Sequence, residues 1–103
     1  METYIIKSPS EGTIDILMRR RGGGARKQSP RGVDAIGLVQ GRMIEMLVAA
    51  DIAEKATGVT VEDIKGSCPQ NMILLAIMGD TASVEEAMQK IERQMKKRGN
   101  VLC

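Results

Sequence analysis

The chain has 103 residues, a length that fits one domain. It contains no His and one aromatic residue, a Tyr. The absence of His removes the usual general base, imidazole metal ligands and His-activated nucleophiles, and the low aromatic content disfavours nucleic-acid binding by base stacking. Hydrophobic residues make up 43% of the chain, so an aliphatic core is available. Because a lone domain of this size buries a modest fraction of its surface, we expect an oligomer.

The formal net charge of +2 comes from one short segment. Six basic residues and no acidic one lie between Arg19 and Arg31, so the 15 basic and 13 acidic residues of the whole chain leave 9 basic against 13 acidic elsewhere. A run of three Gly and Pro30 in the same segment favour a loop. One interpretation is a loop that binds nucleic-acid phosphates. The interpretation that we favour is a solvated surface loop.

The first predicted elements form a β-hairpin. Residues 3–7 are β-prone, residues 8–12 have turn chemistry, and residues 13–18 look like a second strand whose apolar run is interrupted by Asp15. These strands occupy residues 1–18, ahead of the basic Gly/Arg loop at 19–32.

The rest of the chain follows the order β-α-β-β-α across residues 33–98. The expected elements are a strand at 33–39, a helix at 43–57 stopped by Gly58, strands at 59–65 and 72–78, and a final helix that ends at Gly99. This order predicts one α+β, ferredoxin-like domain over residues 1–103, with helices on one face of a mostly antiparallel sheet and a tail at 99–103.

Both helices have recognisable faces or caps. In the first, Ile44, Leu47, Val48 and Ile52 recur at helical spacing and predict the buried face. At the start of the second, two caps are open: Asp80, or a capping box of Ser83 with Glu86. The sequence predicts both helices without deciding between these caps.

Five short blocks between residues 33 and 95 occur in order and with tight spacing. They are Ala35-Ile36-Gly37-Leu38-Val39, Ala49-Ala50-Asp51-Ile52-Ala53-Glu54-Lys55-Ala56, Val59-Thr60-Val61, Gly66-Ser67, and Gly79-Asp80 followed by Val84-Glu85-Glu86-Ala87. Together they resemble the bacterial microcompartment (BMC) shell domain. The usual domain places two strands after its last helix, whereas here two strand-like segments precede it, which resembles the circularly permuted branch of that family. The resemblance implies a cyclic homo-hexamer with a central pore that contacts other shell proteins and encapsulated enzymes, in the cytoplasm and without a membrane.

The turn at Gly66, Ser67, Cys68, Pro69 and Gln70 corresponds to the pore loop of that family, where small residues are more common. It resembles the permuted shell proteins of glycyl-radical-enzyme microcompartments, a group linked to an iron–sulfur cluster at this site. The resemblance implies that Cys68 thiolates from several subunits hold a [4Fe-4S] cluster at the pore, because one Cys of one chain cannot hold it alone. An inert thiol in a turn is the alternative.

Lys55 lies near the C-terminal end of the first predicted helix of the core. It matches the lysine that shell hexamers use for edge-to-edge packing, so the resemblance implies a lateral contact there. The alternative is a solvated charge that is favourable at a helix C-terminus. In either case Asp51, four residues earlier, is within reach of an ion pair with Lys55.

The sequence therefore predicts a structural shell protein and not an enzyme. Its pore cluster would serve electron transfer or cofactor delivery across the shell. The alternative function is a nucleic-acid-binding module that uses the basic segment from Arg19 to Arg31. A small ferredoxin-like enzyme is disfavoured because the chain has no His and no obvious acid–base pair.

Overall fold

A computed structural model describes residues 1–20, 33–65 and 72–102, with side chains described as far as residue 95. The elements are β1 (Glu2–Lys7), α1 (Glu11–Arg20), β2 (Ala35–Arg42), α2 (Met43–Glu54), β3 (Val59–Ile64), β4 (Met72–Gly79) and α3 (Thr81–Leu102). The predicted β-α-β-β-α order from β2 onward is confirmed.

The strands form one antiparallel sheet in the order β1-β2-β4-β3. The two central strands, β2 and β4, have nearly continuous apolar sequences because both of their faces are covered. β1 lies at one edge and is tied to α3 on one face of the sheet by an ion pair of 3.1 Å between Lys7 Nζ and Glu85 Oε2. The α+β fold class predicted from the sequence is confirmed.

The helices α2 and α3 pack side by side on one face of the sheet, as predicted. Gly37 of β2 permits the close approach of α3, since a Cβ built there would lie 2.6 Å from Sδ of Met88. The buried residues of this face form one continuous apolar cluster. They are Ala35, Val39, Met46, Ala49, Ile52, Ala53, Leu75, Ile77, Val84, Ala87, Met88 and Ile91.

The opposite face of the sheet is covered by α1, and here the prediction of a second strand at residues 13–18 is wrong. Oγ of Ser10 accepts a hydrogen bond of 3.2 Å from the backbone N–H of Thr13, which is an N-cap contact at the start of a helix. Ile14, Leu17 and Met18 then lie on one side of that helix, at spacings of three and one. They belong to a smaller apolar cluster on this face of the sheet. Its buried members are Leu17, Ile36, Ile64, Ala76 and Met78.

Several boundaries also differ from the prediction. α2 ends at Glu54 with Lys55 as its C-cap, and Gly58 lies in the turn that follows, with a φ of +85° that suits glycine. α3 continues through Gly99 to Leu102, so the predicted helix end at Gly99 is wrong. At the start of α3, Oδ1 of Asp80 accepts a hydrogen bond of 3.1 Å from the N–H of Ser83, which confirms Asp80 as the cap.

The buried face of α2 also differs from the predicted one. Ile52 is buried as expected, but Ile44 and Leu47 are among the most exposed large apolar side chains of the described chain. The core-facing side chains of α2 are Met46, Ala49, Ile52 and Ala53. Since nine of the twelve residues of this helix are apolar, its sequence pattern does not determine which side faces the sheet.

Candidate functional site

The predicted pore residues belong to the connection between β3 and β4. These residues lie outside the described part of the chain: Gly66, Ser67, Cys68, Pro69 and Gln70. Cys68 among them is the predicted cluster ligand. The structure does describe the two points from which this connection departs. These are Lys65, directly after β3, and Met72, the first residue of β4.

Both departure points lie at one end of the sheet, which we call the pore end because the residues predicted to line a pore follow Lys65 in the sequence. Here Met72 pairs with Arg42, the last residue of β2, and Ile64 pairs with Leu74. The backbone N–H of Lys65 donates a hydrogen bond of 2.6 Å to the carbonyl oxygen of Arg20, which joins the end of α1 to the end of β3. The position from which the connection leaves the domain is therefore held by the sheet and by α1.

The helix α2 begins at the pore end. Oε1 of Glu45 accepts a hydrogen bond of 3.0 Å from the backbone N–H of Arg42, and this contact caps the first turn. Beyond it, the side chains of Met43, Ile44 and Leu47 are exposed. This exposed apolar surface was not predicted from the sequence. The available signal was an excess of large apolar residues over the number that one buried helix face needs.

Lys55 lies at the opposite end of the domain. It follows the last residue of α2, and the nearby β3 begins at Val59, which pairs with Gly79 at the far end of β4. With about 1.5 Å of rise per residue, the 12 residues of α2 separate the pore end from Lys55 by roughly 18 Å. Lys55 is therefore far from Lys65 and Met72, the described residues that flank the predicted pore residues.

The predicted pair of Asp51 and Lys55 is confirmed. Nζ of Lys55 lies 2.8 Å from Oδ2 of Asp51, and the two side chains are 75% and 61% exposed. An ion pair as exposed as this contributes little to stability because water and salt screen it. The Lys55 ammonium is accessible for a contact with another molecule, and its role in edge packing stays a prediction.

The described residues do not contain a metal site. No group of three or more His, Cys, Asp or Glu side chains suited to holding a metal ion occurs among them. Cys68 and Cys103 both lie outside that part of the chain. The cluster at Cys68 therefore stays a prediction.

The basic segment falls mainly outside the described residues as well. Arg19 and Arg20 form the last turn of α1, while residues 21–32 are not described. The nucleic-acid-binding interpretation and the solvated-loop interpretation of this segment both stay predictions. Of the helices that the structure describes, none has the combination of length and apolar content that a membrane crossing requires.

Comparison with protein families matches residues 35–103 to the BMC domain. The chain belongs to the BMC domain family. The match begins at the first residue of β2 and includes both α2 and α3, the connection between β3 and β4, and Lys55. A comparison with curated proteins gives no match.

Two solved structures are similar over almost the whole chain. One is a ligand-free structure of the GrpU microcompartment shell protein from Clostridiales bacterium 1_7_47FAA, with 59% identity, 93% of each chain covered and a TM-score of 0.72. The other is a ligand-free structure of the GrpU microcompartment shell protein from Pectobacterium wasabiae, with 35% identity, 88% of this chain and 99% of that chain covered, and a TM-score of 0.72. This BMC domain chain is a microcompartment shell protein, a structural component and not an enzyme.

Proposed function

We propose that this BMC domain protein forms a cyclic homo-hexamer in the shell, with residues 66–70 around a central pore and Lys55 at the outer edge. The observation that supports the proposal is the separation of Lys55 from the end of the sheet at which Lys65 and Met72 flank residues 66–71, roughly 18 Å along α2. In a ring of copies, the end that carries the pore connection would face the axis. The end that carries Lys55 would then face the neighbouring hexamers and other shell proteins.

The N-terminal elements support a circularly permuted arrangement of the domain. The family match starts at residue 35, whereas β1 and α1 precede it. Residues Glu2–Lys7 nevertheless supply an edge strand of the same sheet, paired with β2 along their whole length. A strand that joins the sheet from ahead of the family match is what a permuted chain order requires.

We also propose an iron–sulfur cluster in the pore, held by Cys68. One thiolate per chain does not fit a cluster, which normally takes four ligands. A ring of copies would bring several Cys68 thiolates to one axis. Three thiolates match the three-fold symmetry of a [4Fe-4S] cluster. Six equivalent thiolates cannot all bind one such cluster, so the six-fold symmetry would have to break at the pore.

The function that follows is electron transfer or cofactor delivery across the shell, in a compartment of the glycyl-radical-enzyme type. When bound, the cluster would supply one-electron chemistry. The chain's own contribution is to hold it: Cys68 would bind iron, and the backbone N–H groups of Ser67 and Cys68 would donate hydrogen bonds to cluster sulfur atoms.

Anaerobic reconstitution with iron and sulfide tests the cluster. We expect a brown protein with broad visible absorbance and about four iron atoms per six chains. Cys68→Ser should abolish the colour, whereas Cys103→Ser, the matched removal of the other thiol, should preserve it. Equal iron content in the two variants, or a colourless wild-type protein, would contradict the cluster proposal and leave the hexamer proposal standing.

A further inference from the structure

Exposed basic side chains collect at the pore end of the domain. Arg20 is the last residue of α1, Arg42 is the last residue of β2, and Lys65 follows β3, and all three are exposed. The hydrogen bond from the N–H of Lys65 to the carbonyl oxygen of Arg20 places these two residues side by side. Since β4 separates β2 from β3 and neighbouring strands are about 4.8 Å apart, the backbones of Arg42 and Lys65 lie roughly 10 Å apart. Together with Arg19, which is also exposed, we call these residues the cation group.

Three of the four members lie on the side of the sheet that α1 covers. Arg19 and Arg20 belong to α1 itself. Arg42 alternates along β2 with Ile36 and Leu38, which pack in the apolar cluster under α1, so its side chain is on that side as well. The cation group therefore borders the α1 side of the pore end, next to the point from which the predicted pore residues depart.

The positive charge of the cation group is not balanced by carboxylates of the same chain. The two ion pairs described above include no member of the group, and the residues outside the described ranges contain no Asp or Glu. Glu2 and Asp63 are exposed at the same end, but neither forms an ion pair with the group among the described residues. The carboxylate of Glu45 is bonded to a backbone N–H. The charge of the cation group is therefore available to a partner in solution.

The opposite end of the domain has the reverse charge. Its basic side chains, Lys7 and Lys55, are held in ion pairs. Exposed acidic residues flank the ends of helices and strands there, namely Glu11, Asp34, Glu54 and Asp80. In the proposed ring, the cation groups of six copies would surround the pore mouth on the α1 side, and their electrostatic fields would add there.

We propose that the cation group docks an acidic electron-carrier protein over the pore, on the α1 side of the ring. This inference rests on the proposed hexamer and pore cluster, and it adds the class of partner that would exchange electrons there. Electron-transfer proteins form small, transient contacts that bury less than about 1,200 Å² in total, and charge complementarity steers such contacts. Guanidinium groups suit a carboxylate surface because they bind carboxylates through two parallel hydrogen bonds. The docking is non-covalent and involves no change of oxidation state.

A protein surface rich in carboxylates fits the cation group better than a nucleic acid does. Sequence-tolerant binding of single strands relies on stacking by aromatic side chains, and the chain has one aromatic residue, Tyr4. A duplex presents its phosphates along a line, whereas the cation groups of a ring would form a closed patch around one axis. Binding of DNA is therefore the outcome that the test has to separate from docking of a protein.

The test measures binding of an acidic flavodoxin by isothermal titration calorimetry, on protein without a cluster so that docking is measured apart from electron transfer. In Arg42→Gln/Lys65→Gln, two members of the cation group lose their charge. The matched control is Lys7→Gln/Lys90→Gln, which removes the same charge from the side of the sheet that α3 covers. A DNA duplex of similar net charge is the second probe, and native mass spectrometry reports the mass of each protein.

We expect wild-type protein to bind flavodoxin more tightly at about 0.01 M salt than at about 0.15 M, because the Debye length falls from about 30 Å to about 8 Å. At the lower salt concentration, Arg42→Gln/Lys65→Gln should weaken binding at least about tenfold, and the control should weaken it less than about twofold. If this variant does not fold, Arg19→Gln/Arg20→Gln takes its place with the same expected result.

The inference is overturned by equal losses in the two double variants, by a wild-type ring that does not bind flavodoxin, or by DNA bound as tightly as flavodoxin. Failure of the proposed function gives different results. A colourless reconstituted protein contradicts the cluster, and the mass of a single chain contradicts the ring. In either case the comparison of the two double variants still decides whether the cation group binds the carrier.

Discussion

The two faces of the sheet are covered in different ways. On one face, α2 and α3 enclose a continuous cluster that reaches from Ala35 to Ile91. On the other, Leu17 is the buried residue among the ten of α1, and it remains 8% exposed. The difference indicates that packing of α2 and α3 stabilises the domain, whereas α1 adds a thinner cover that also joins β3 through the contact between Arg20 and Lys65.

The largest effect should come from the face under α2 and α3. Ile91 of α3 is completely buried, so Ile91→Ala removes apolar contacts and leaves a cavity. We expect it to lower the free energy of unfolding by about 2–5 kcal/mol, measured by urea denaturation. The exposed Ile16 provides the control, because Ile16→Ala should change stability by less than about 0.5 kcal/mol.

A smaller effect is expected on the face under α1. Leu17 packs in the smaller cluster, beneath a single helix that can relax into the space left by Leu17→Ala. The loss should be near the lower end of the same range, about 2 kcal/mol in urea denaturation. A loss equal to that of Ile91→Ala would show that α1 holds the domain as strongly as α3 does, and the contrast between the faces would be wrong.

A still smaller effect on stability is expected from the N-terminal cap of α3. Asp80→Ala removes the hydrogen bond to the N–H of Ser83 at the start of α3 and should cost about 1 kcal/mol in thermal or urea unfolding. Asp80→Asn retains an acceptor at the same position and should recover most of this stability. If both variants lost stability equally, the negative charge and not the hydrogen bond would be the important contribution of Asp80.

The smallest effect on stability, and the clearest on assembly, is expected at Lys55. Because its ion pair with Asp51 is exposed, Lys55→Ala should change the free energy of unfolding by only a few tenths of a kcal/mol. The ring should persist by mass, whereas extended layers seen by electron microscopy should be lost. Layers formed normally by Lys55→Ala would contradict an edge-packing role. Asp51→Ala, which removes the partner and keeps the ammonium, is the control.

The elements that could be predicted from the sequence are those with a clear local pattern of residues. β4 was recognised from a long apolar run, and α3 from a stripe with a cap and a polar face. α1 was missed because Pro9, Ser10 and Gly12 suggested a turn, although Ser10 and the spacing of Ile14 and Leu17 contained the helix signal. The buried side of α2 was missed for a different reason, since nine of its twelve residues are apolar and only packing against the sheet selects a side.

The site was less predictable than the fold for a physical reason. The ion pair between Asp51 and Lys55 depends on a spacing of four residues at the end of one helix, and a single sequence contains that information. A cluster bound at Cys68 depends on the symmetry of several copies, which no pattern along one chain encodes. The resemblance to the BMC domain supplied that part of the prediction.

The most direct test of the central claim is the mass of the anaerobically reconstituted protein under native conditions. The proposed cyclic assembly predicts an oligomer of six times the 11.2 kDa chain mass that carries iron and sulfide. In Cys68→Ser, the six-chain mass should remain and the iron and sulfide should be gone. A wild-type protein with the mass of a single chain would contradict the assembly.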